Sequence, residues 1–478
     1  MEKFYVTSAI PYVNARPHLG HALEFVQADV ISRFHRQKGE DVLLLSGSDD
    51  NALKNVQAAE QAGVPVEQFV EENGQLFFEL AQALGVHLDI FQRGTSKEHH
   101  SSSQKLWELC RKAGDIYKDS YEGLYCVGCE VFYVRGELNE KGECPEHPGK
   151  KLEKVSEENY FFRLSKYQKQ LVELLEKDEL RIIPESRKNE MLAFLREPLQ
   201  DISISRSNER ARNWGVPVPE DEGQRMYVWF DALNIYQSGI GFGSDEGKYK
   251  KWWPADVQVI GKGIARFHAV YWPAFLLSAG LPLPKVLFVH GYLTVEGKKM
   301  SKSVGNVVDP FELIERYGAD ALRYFLLREI PASEDGDYSR EKFETRYNAD
   351  LASGLGNLTA RVLTLAEKNK MKVPKRVGDR LGSALRGAKE KLEQDLSEFQ
   401  FGSALGAIWE LITICDRYIE AKKPWEESEE QEEVIADLMF VLREIGDMLK
   451  PFLPETSERI VAQLKTGKGE SLFPRIAS

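Results

Sequence analysis

The sequence predicts an α/β protein in which a parallel-sheet core, interrupted by an insert, is followed by a bundle of α-helices. Three observations support this fold class. Strand, helix and strand patterns follow one another within the first 48 residues, the residue pattern changes over 116–155, and strand signals end near residue 341. A length of 478 residues is enough for about three domains, which agrees with this division.

The N-terminal segment has the pattern of a βαβ unit. Residues 4–8 are aromatic and β-branched, which favours a strand. Apolar residues from Leu19 to Phe34 recur every three or four positions, which predicts an amphipathic helix that Gly39 ends. The apolar run 41–46 predicts a second, buried strand. Because consecutive strands joined by a helix are parallel, we expect a Rossmann-type sheet.

Later segments extend both parts of the fold. Further elements of the core are predicted as helices near 65–84 and 97–113 and as strands at 226–231, 257–260 and 286–289. Helices of the bundle are predicted at 351–365, 383–397, 403–421 and 431–449. The expected domains are the two core halves 1–115 and 226–340, the insert 116–225 and the helical domain 341–478.

Composition and charge restrict the class of protein. With 42% apolar and 29% charged residues, the chain is typical of a globular protein. It shows no membrane-length apolar run, no signal-peptide pattern and too few cysteines for a disulfide framework, so we expect a cytoplasmic protein. The net charge of −12 argues against a nucleic-acid partner, but 361–391 holds ten basic and three acidic residues.

Two short motifs indicate phosphate chemistry. His18-Leu19-Gly20-His21 opens the first predicted helix, where the helix dipole favours a phosphate and Gly20 lets a nucleotide approach the backbone. Lys299-Met300-Ser301-Lys302-Ser303 follows a hairpin-like strand, and its two lysines suit nucleotide phosphates. Surface histidines and a solvated basic loop are the ordinary alternatives for each motif alone. Their joint occurrence favours a nucleotide site.

The insert contains a candidate metal site. Cys126-Val127-Gly128-Cys129 and Cys144-Pro145-Glu146-His147 supply two pairs of potential ligands separated by 14 residues. Three thiolates and one imidazole make a tetrahedral Zn²⁺ set without an open position, so one structural zinc per chain is expected. Thiols that lie close by chance are the alternative. Cys110 and Cys415 lie in helical patterns and are expected to be core residues.

The two phosphate motifs resemble the signatures of class I aminoacyl-tRNA synthetases, from which only Leu19 departs. Other segments, among them Ala9-Ile10-Pro11-Tyr12 and Arg266-Phe267-His268, resemble methionyl-tRNA synthetases over nearly the whole chain. The resemblance implies an enzyme that joins methionine and ATP to methionyl-adenylate and transfers methionine to tRNA(Met). It implies catalytic and ATP-binding roles, with Mg²⁺ on ATP, for His18, Gly20, His21, Lys299 and Lys302.

The same resemblance assigns residues to methionine and to tRNA. Asp49 would bind the α-ammonium group of methionine. The side-chain pocket would be lined by Ile10, Tyr12, Trp229, Ala232, Leu233, Tyr236 and His268. In the helical domain, Asn357, Arg361 and Trp425 would read the anticodon by hydrogen bonds and stacking. Without the resemblance, these aromatic residues are typical of an ordinary core, and the Asn357 and Arg361 pair of a solvated helix face.

Some features depart from the family pattern or stay open. Asn51 and Ala52 stand where the family often has His and Gly, and Gly263 stands where it has Asp. These departures concern substrate or inhibitor contacts rather than the class of reaction.

Two alternatives to a synthetase are a nucleotidyltransferase that forms an adenylate without tRNA and a non-catalytic, zinc-containing RNA-binding protein. A monomer is expected, because the chain lacks room for the C-terminal dimerising domain of some relatives.

Overall fold

The computed structural model describes residues 2–126, 128, 131–133, 138–146, 149, 151–300 and 305–476. These residues form two compact units. The first unit comprises Met1–Pro17, Glu40–Glu79 and Leu88–Val289, and the second comprises His18–Gly39, Leu80–His87 and His290–Ser478.

The strands of the described residues are β1 (Lys3–Ser8), β2 (Asp41–Ser48), β3 (Ile90–Arg93), β4 (Ile116–Cys126), β5 (Val131–Tyr133), β6 (Glu153–Phe162), β7 (Arg181–Ile183), β8 (Ile202–Ser203), β9 (Ser205–Ser207), β10 (Pro217–Val218), β11 (Asp221–Met226), β12 (Val257–Gly261), β13 (Val286–His290), β14 (Leu293–Val295), β15 (Lys298–Lys299) and β16 (Gly336–Tyr338).

The α-helices are α1 (Leu19–Gln37), α2 (Leu53–Ala62), α3 (Val66–Ala83), α4 (Lys97–Lys112), α5 (Gln168–Glu176), α6 (Glu185–Arg196), α7 (Asn208–Ala211), α8 (Val228–Ala232), α9 (Ile235–Ser238), α10 (Glu246–Trp252), α11 (Trp272–Ala279), α12 (Pro310–Tyr317), α13 (Ala319–Arg328), α14 (Arg340–Arg346), α15 (Asn357–Lys368), α16 (Asp379–Ser397), α17 (Phe401–Lys422), α18 (Gln431–Leu449) and α19 (Pro454–Thr466). Two π-helical segments cover Phe267–Tyr271 and Tyr347–Gly356.

A six-stranded sheet forms the centre of the first unit. Its strand order is β3-β2-β1-β12-β13-β7, and β1 pairs in parallel with both β2 and β12. Val6 of β1 lies opposite Leu44 and Val257, and all three side chains are buried. Strands covered on both faces are continuously apolar, as the short runs in the sequence indicated. The predicted parallel core is confirmed.

One predicted strand is wrong. The run 226–231 was expected to be a strand, but β11 ends at Met226 and α8 begins at Val228. Every residue of α8 is buried. A short, uninterrupted apolar run has no periodicity that distinguishes a buried strand from a buried helical turn, so the local pattern could not decide here.

The insert within the first unit is mainly antiparallel. Strands form one sheet in the order β5-β4-β6-β8 and another in the order β10-β11-β9. The longest pairing joins β4 to β6, from Ile116 opposite Phe162 to Tyr125 opposite Glu153. The change in residue pattern over 116–155 therefore coincides with a change from parallel to antiparallel strands, of which β4 has 11 residues and β6 has 10.

The second unit contains α1 and the C-terminal helices. Helices α16, α17 and α18 confirm three predicted segments, whereas the segment 351–365 is divided between the π-helical turn Tyr347–Gly356 and α15. Helix α1 ends near Gly39, whose positive φ of 84° suits the residue predicted to stop it. None of the described helices is long and apolar enough to cross a membrane.

A fully buried arginine holds α1 within the second unit. Arg323 of α13 places Nη2 2.7 Å from Asp29 Oδ2 of α1, and both side chains have no exposed surface. Arg323 Nε donates to the Phe452 carbonyl at 2.6 Å, Nη1 to Leu84 at 3.2 Å and Nη2 to Pro451 at 3.0 Å. A buried guanidinium is tolerated only when it is paired and hydrogen-bonded in this way.

Candidate active site

The first cluster of site residues follows the carboxyl ends of strands in the first unit. Tyr12 follows β1 and forms a parallel bridge with Asp49, which follows β2. The Asp49 amide donates to the Pro11 carbonyl at 2.9 Å, and Asn55 Nδ2 donates to the Asp49 carbonyl at 2.8 Å. These backbone bonds hold Asp49 in a buried position, with only 4% of the residue exposed.

Aromatic rings form the wall of this cluster. Trp229 of α8 stacks on Phe267, with ring centroids 3.7 Å apart and planes at 4°. Tyr12 meets Trp229 edge to face at 6.2 Å, and His268 meets it at 6.4 Å. Trp229 Nε1 is buried without a hydrogen-bond partner among the described residues. The structure thus brings together Tyr12, Trp229 and His268, as the resemblance implied.

His268 is held as a neutral ring. Its Nδ1 lies 3.0 Å from the Ile264 carbonyl, which can only accept, so Nδ1 carries the proton. Nε2 then accepts from the Tyr236 hydroxyl at 2.8 Å. Burial lowers the pKa of His268 to about 4. The residue lies in the π-helical turn Phe267–Tyr271, a conformation that is frequent at functional sites.

The remaining predicted methionine residues also lie in the first unit. Ala232 and Leu233 are buried at the end of α8, and Ile10 is half-buried after β1. A Cβ placed on Gly47 would lie 2.0 Å from the Gln92 carbonyl oxygen and 3.2 Å from Ile10 Cγ2. Only glycine therefore fits in β2 beside Ile10.

The histidine motif lies in the second unit, at the start of α1. His18 is the N-cap residue: Gly20 N donates to His18 Nδ1 at 3.1 Å, and His18 N donates to His21 Nδ1 at 3.1 Å. The two rings stack with centroids 3.9 Å apart. Because both Nδ1 atoms accept hydrogen bonds, each neutral ring carries its proton on Nε2. These bonds also satisfy two of the amides that a helix start leaves unpaired.

Burial keeps both imidazoles of this motif neutral. It lowers the pKa of His18 to about 4. For His21, burial comes first, and the neighbouring His18 and His290 further lower its pKa below the usual range. Both rings therefore offer an Nε2–H donor near neutral pH rather than a positive charge.

The lysine motif is described in part. Gly20 and Met300 lie close together, since a Cβ on Gly20 would come 3.0 Å from His18 Cε1 and 3.9 Å from Met300 Cε. The backbone of Lys299 belongs to β15, whereas Lys302 lies outside the described residues. The second unit therefore brings the histidine motif next to the first part of the lysine motif.

The predicted anticodon residues are also in the second unit. Asn357 begins α15 and is exposed. Arg361 follows one turn later and places Nη2 2.6 Å from Glu420 Oε1 and Nη1 3.6 Å from Asp416 Oδ1. Trp425 is 44% exposed, and Val307 is the other large apolar side chain of comparable exposure in the part of the chain that is described. A tryptophan with this much exposed surface contributes little to a hydrophobic core, but its accessible ring suits the stacking of a base.

The predicted zinc ligands are only partly described. Cys126 ends β4, and it and Cys144 are buried and not joined in a disulfide. Cys144 Sγ lies 3.4 Å from the Tyr133 hydroxyl. Cys129 and His147 lie outside the described residues, within which no group of three or more potential metal ligands is found.

The other two cysteines are core residues, as expected. Cys110 of α4 and Cys415 of α17 are buried, and burial raises the pKa of each thiol to about 12. Neither thiol is therefore ionised near neutral pH.

Two polar pairs near these sites were missed by sequence reasoning. His290 Nε2 lies 2.9 Å from Glu24 Oε2 in the second unit, and Asn51 Nδ2 donates to Asp231 Oδ2 at 2.6 Å in the first. Each pair joins residues from distant parts of the chain, so local spacing carried no signal. Their position in the sequence was the one feature that could have indicated a functional residue, since His290 ends β13 and Asp231 ends an aromatic run.

Comparison with known proteins identifies this arrangement. Residues 4–363 match the family described as tRNA synthetases class I (M), and residues 381–475 match the anticodon-binding domain of tRNA ligases. The chain is 41% identical to the methionine–tRNA ligase of Brucella suis biovar 1, with 96% of this chain and 91% of that protein covered. It is also 41% identical to the methionine–tRNA ligase of Mycobacterium bovis, with 100% and 94% covered.

Comparison with solved structures points to the same family. The chain resembles Mycobacterium tuberculosis methionyl-tRNA synthetase in complex with methionyl-adenylate, with a TM-score of 0.93, 39% identity and 99% and 100% of the two chains covered. For the apo form of that enzyme the TM-score is 0.85 at 36% identity, with 100% and 99% covered. The fold and the paired signature motifs are those of class I aminoacyl-tRNA synthetases. Within this class, the chain belongs to the methionyl-tRNA synthetase family.

The neutral state of His268 predicts a loss of stability in acid. The pKa of His268 is about 4 in the folded protein, against an ordinary value of 6.5, so the unfolded chain binds one more proton between these values. As the pH is lowered from 6.5 to 4, the free energy of unfolding should therefore decrease, by about 3 kcal/mol in total from this residue. In His268→Gln, whose amide oxygen still accepts from Tyr236, urea denaturation at pH 7 and pH 4.5 should differ less than in the parent chain. An equal difference in both proteins would contradict the assignment.

Proposed function

We propose that the cluster in the first unit selects methionine for the reaction of this chain, the ATP-dependent ligation of methionine to tRNA(Met). Asp49 binds the α-ammonium group of the amino acid. The side chain of methionine lies among Ile10, Tyr12, Trp229, Ala232, Leu233, Tyr236 and His268. The observation that carries the proposal is the contact of the Trp229 ring with Tyr12 and His268, together with the backbone bridge that joins Tyr12 to the buried Asp49.

The charge state of this pocket suits a thioether. Methionine sulfur is polarizable and a weak acceptor, and each sulfur–ring contact contributes about 0.3–1.5 kcal/mol. Burial keeps His268 uncharged, and its Nε2 accepts a hydrogen bond from the Tyr236 hydroxyl, so the pocket does not favour a charged competitor. A substrate that lacks one methylene, such as homocysteine, is disfavoured by only about 1–3 kcal/mol, which makes the shape of the pocket important.

The two signature motifs act on ATP. ATP enters with Mg²⁺, and the methionine carboxylate attacks its α-phosphate in line while pyrophosphate leaves. The Nε2–H groups of His18 and His21 donate to phosphate oxygens, and Lys299 and Lys302 neutralise charge on the leaving pyrophosphate. Donors already fixed by backbone hydrogen bonds need no reorganisation when charge develops in the transition state. Gly20 leaves room for the nucleotide.

Transfer to tRNA completes the reaction. The 2′-hydroxyl of the terminal adenosine attacks the carbonyl carbon of the adenylate, its proton is released and AMP leaves. Both steps require the protein to position reactants and stabilise charge, and no side chain becomes covalently bound.

The helical domain supplies recognition of the anticodon. Trp425 stacks on an unpaired base, and Asn357 and Arg361 form hydrogen bonds to base edges. Arg361 is paired with Glu420 and Asp416, so RNA must replace or share these carboxylates. Asp416 Oδ1 is buried without a hydrogen-bond partner among the described residues, so its pairing with Arg361 at 3.6 Å is incomplete.

The insert provides a structural zinc site. Cys126, Cys129, Cys144 and His147 are the proposed ligands, and the buried thiols of Cys126 and Cys144 fit a metal that avoids solvent. Zinc bound there would cross-link the segment between Cys126 and His147 and would take no part in the chemistry of the reaction.

The organisation of the chain follows from these roles. We propose core halves at 1–115 and 226–340, an insert at 116–225 and an anticodon-binding domain at 341–478. The protein acts as a monomer in the cytoplasm, where its tRNA is used for translation.

The activity is tested by exchange of ATP and pyrophosphate with each of the twenty amino acids. Methionine alone should support exchange, and tRNA(Met) should accept methionine from the same protein. Lys302→Ala should lower the exchange kcat about 100-fold, since a lost charge-stabilising group has this order of effect, and should leave the methionine KM nearly unchanged.

Lys298→Ala is the matched control for Lys302→Ala, because Lys298 precedes the motif and is exposed. It should retain most of the activity. An increase in the methionine KM alone for Lys302→Ala would refute the proposed role. Exchange without tRNA acceptance would support a nucleotidyltransferase instead.

Trp425→Ala should separate the two steps. It should lower methionine transfer to tRNA(Met) by about 10- to 100-fold, in line with about 1–3 kcal/mol per stacked base, and should spare methionine-dependent exchange. Trp425→Phe keeps a stacking ring and should recover most of the charging activity. Equal losses of exchange and charging in Trp425→Ala would show that the tryptophan is a packing residue.

Cys126→Ser should abolish zinc binding and destabilise the insert. Metal analysis of the purified protein should give one zinc per chain for the parent and less than one for the variant. Cys110→Ser is the matched control, because Cys110 is equally buried but lies in α4 away from the proposed ligands. The proposal fails if Cys126→Ser keeps a full zinc content.

A further inference from the structure

A buried carboxylate lies on the same short helix as Trp229, which belongs to the aromatic wall. Asp231 belongs to α8, two residues from Trp229, and is 1% exposed. Its Oδ2 accepts a hydrogen bond from Asn51 Nδ2 at 2.6 Å and lies 3.4 Å from His99 Nε2. Its Oδ1 is buried without a hydrogen-bond partner among the described residues.

This carboxylate is the centre of a chain of polar contacts. Asn51 lies two residues after Asp49 and also donates to the Gly94 carbonyl at 2.9 Å. His99 of α4 places Nδ1 2.9 Å from the Ser238 hydroxyl of α9. Asn51, Asp231, His99 and Ser238, which we call the Asp231 chain, therefore connect the end of β2 with α8, α4 and α9.

Two of the elements that the Asp231 chain connects, α8 and α9, are too short to be stable helices on their own. Helix α8 has five residues and α9 has four, and neither has a side-chain N-cap. Helices this short are unstable without tertiary contacts. Yet they carry Trp229, Ala232 and Tyr236 of the proposed methionine pocket, with Leu233 at the end of α8.

The free-energy cost of burying Asp231 indicates that this residue does not serve mainly to stabilise the fold. A buried carboxylate with one oxygen unpaired is costly, and an apolar group of the same size in such a place is often neutral or stabilising. Directional hydrogen bonds, in contrast, specify one arrangement of the groups that they join. The Asp231 chain thus lowers the stability of the fold but holds α8 and α9 in a defined position.

We propose that Asn51, Asp231 and His99 are positioning residues for amino-acid selection: the Asp231 chain fixes α8 and α9 so that the pocket has one shape, that of methionine. This inference rests on the proposed function of the pocket. It also gives Asn51, which stands where the family often has histidine, a defined task as the donor to Asp231.

The test compares methionine with homocysteine and norleucine in ATP–pyrophosphate exchange. Asp231→Asn keeps the size of the side chain but replaces the charged acceptor, which faces both Asn51 and His99, with a neutral amide. It should raise the methionine KM about tenfold and lower the kcat/KM preference for methionine over homocysteine about tenfold, since one methylene accounts for about 10- to 200-fold. The ATP KM should not change. Asn51→Asp should have the same effects.

A double variant tests the pairing itself. Asn51→Asp combined with Asp231→Asn exchanges donor and acceptor, so it should recover part of the preference that each single variant loses. Asn51→His retains a donor of the kind found in the family and should keep selectivity. Additive losses in the double variant would overturn the proposed pairing.

Asp115→Asn is the matched control. Asp115 is also 1% exposed in the first unit, but it contacts Tyr167, Lys166 and Ser278 rather than residues of the pocket. It should lower thermal stability without altering the preference between amino acids. If Asp231→Asn lowers only the melting temperature, the Asp231 chain merely stabilises the fold and the inference is wrong. Absence of exchange with methionine in the parent chain would instead refute the proposed function.

Discussion

The parallel direction of the central strands is the constraint on which the first unit depends. Tyr12 follows β1, Asp49 follows β2 and His268 follows β12 by one turn of irregular helix. Because β1 pairs in parallel with both neighbours, all three segments leave the sheet at the same edge. Residues separated by more than half of the chain are thereby collected into one cluster, and the π-helical turn Phe267–Tyr271 adds the local backbone that carries His268.

The second unit has a corresponding constraint in the pair of Arg323 and Asp29. Desolvation of two charges is compensated only if every donor finds an acceptor, and Arg323 uses the carbonyls of Leu84, Pro451 and Phe452 for this purpose. The result is that α1, whose first turn carries His18, has a fixed position relative to the helices around Phe452. A change of one partner alone would leave an uncompensated buried charge, which is why such a cluster must be kept or lost as a whole.

Local sequence patterns predicted the parts of this structure that depend on periodicity. The βαβ unit, the helix starting at His18 and three bundle helices follow from the spacing of apolar residues, and all are confirmed. The run 226–231 was wrong because burial on all sides removes periodicity. The pairs Asp231 with Asn51 and Arg323 with Asp29 were not predictable, since they join distant residues through tertiary packing. The family resemblance named the pocket residues, but not the residues behind them.

The three histidines of the two candidate sites share one physical property that fits their proposed roles. Burial lowers the pKa of His18 and His268 to about 4 and that of His21 below its usual range, so each acts as a neutral ring with a fixed tautomer. A buried imidazolium would require a counter-ion and would repel the ammonium group of methionine. Neutral donors avoid both problems and still stabilise negative charge that develops on phosphate. In the proposed mechanism, the positive charge that pyrophosphate release requires therefore comes from the lysine motif rather than from the histidines.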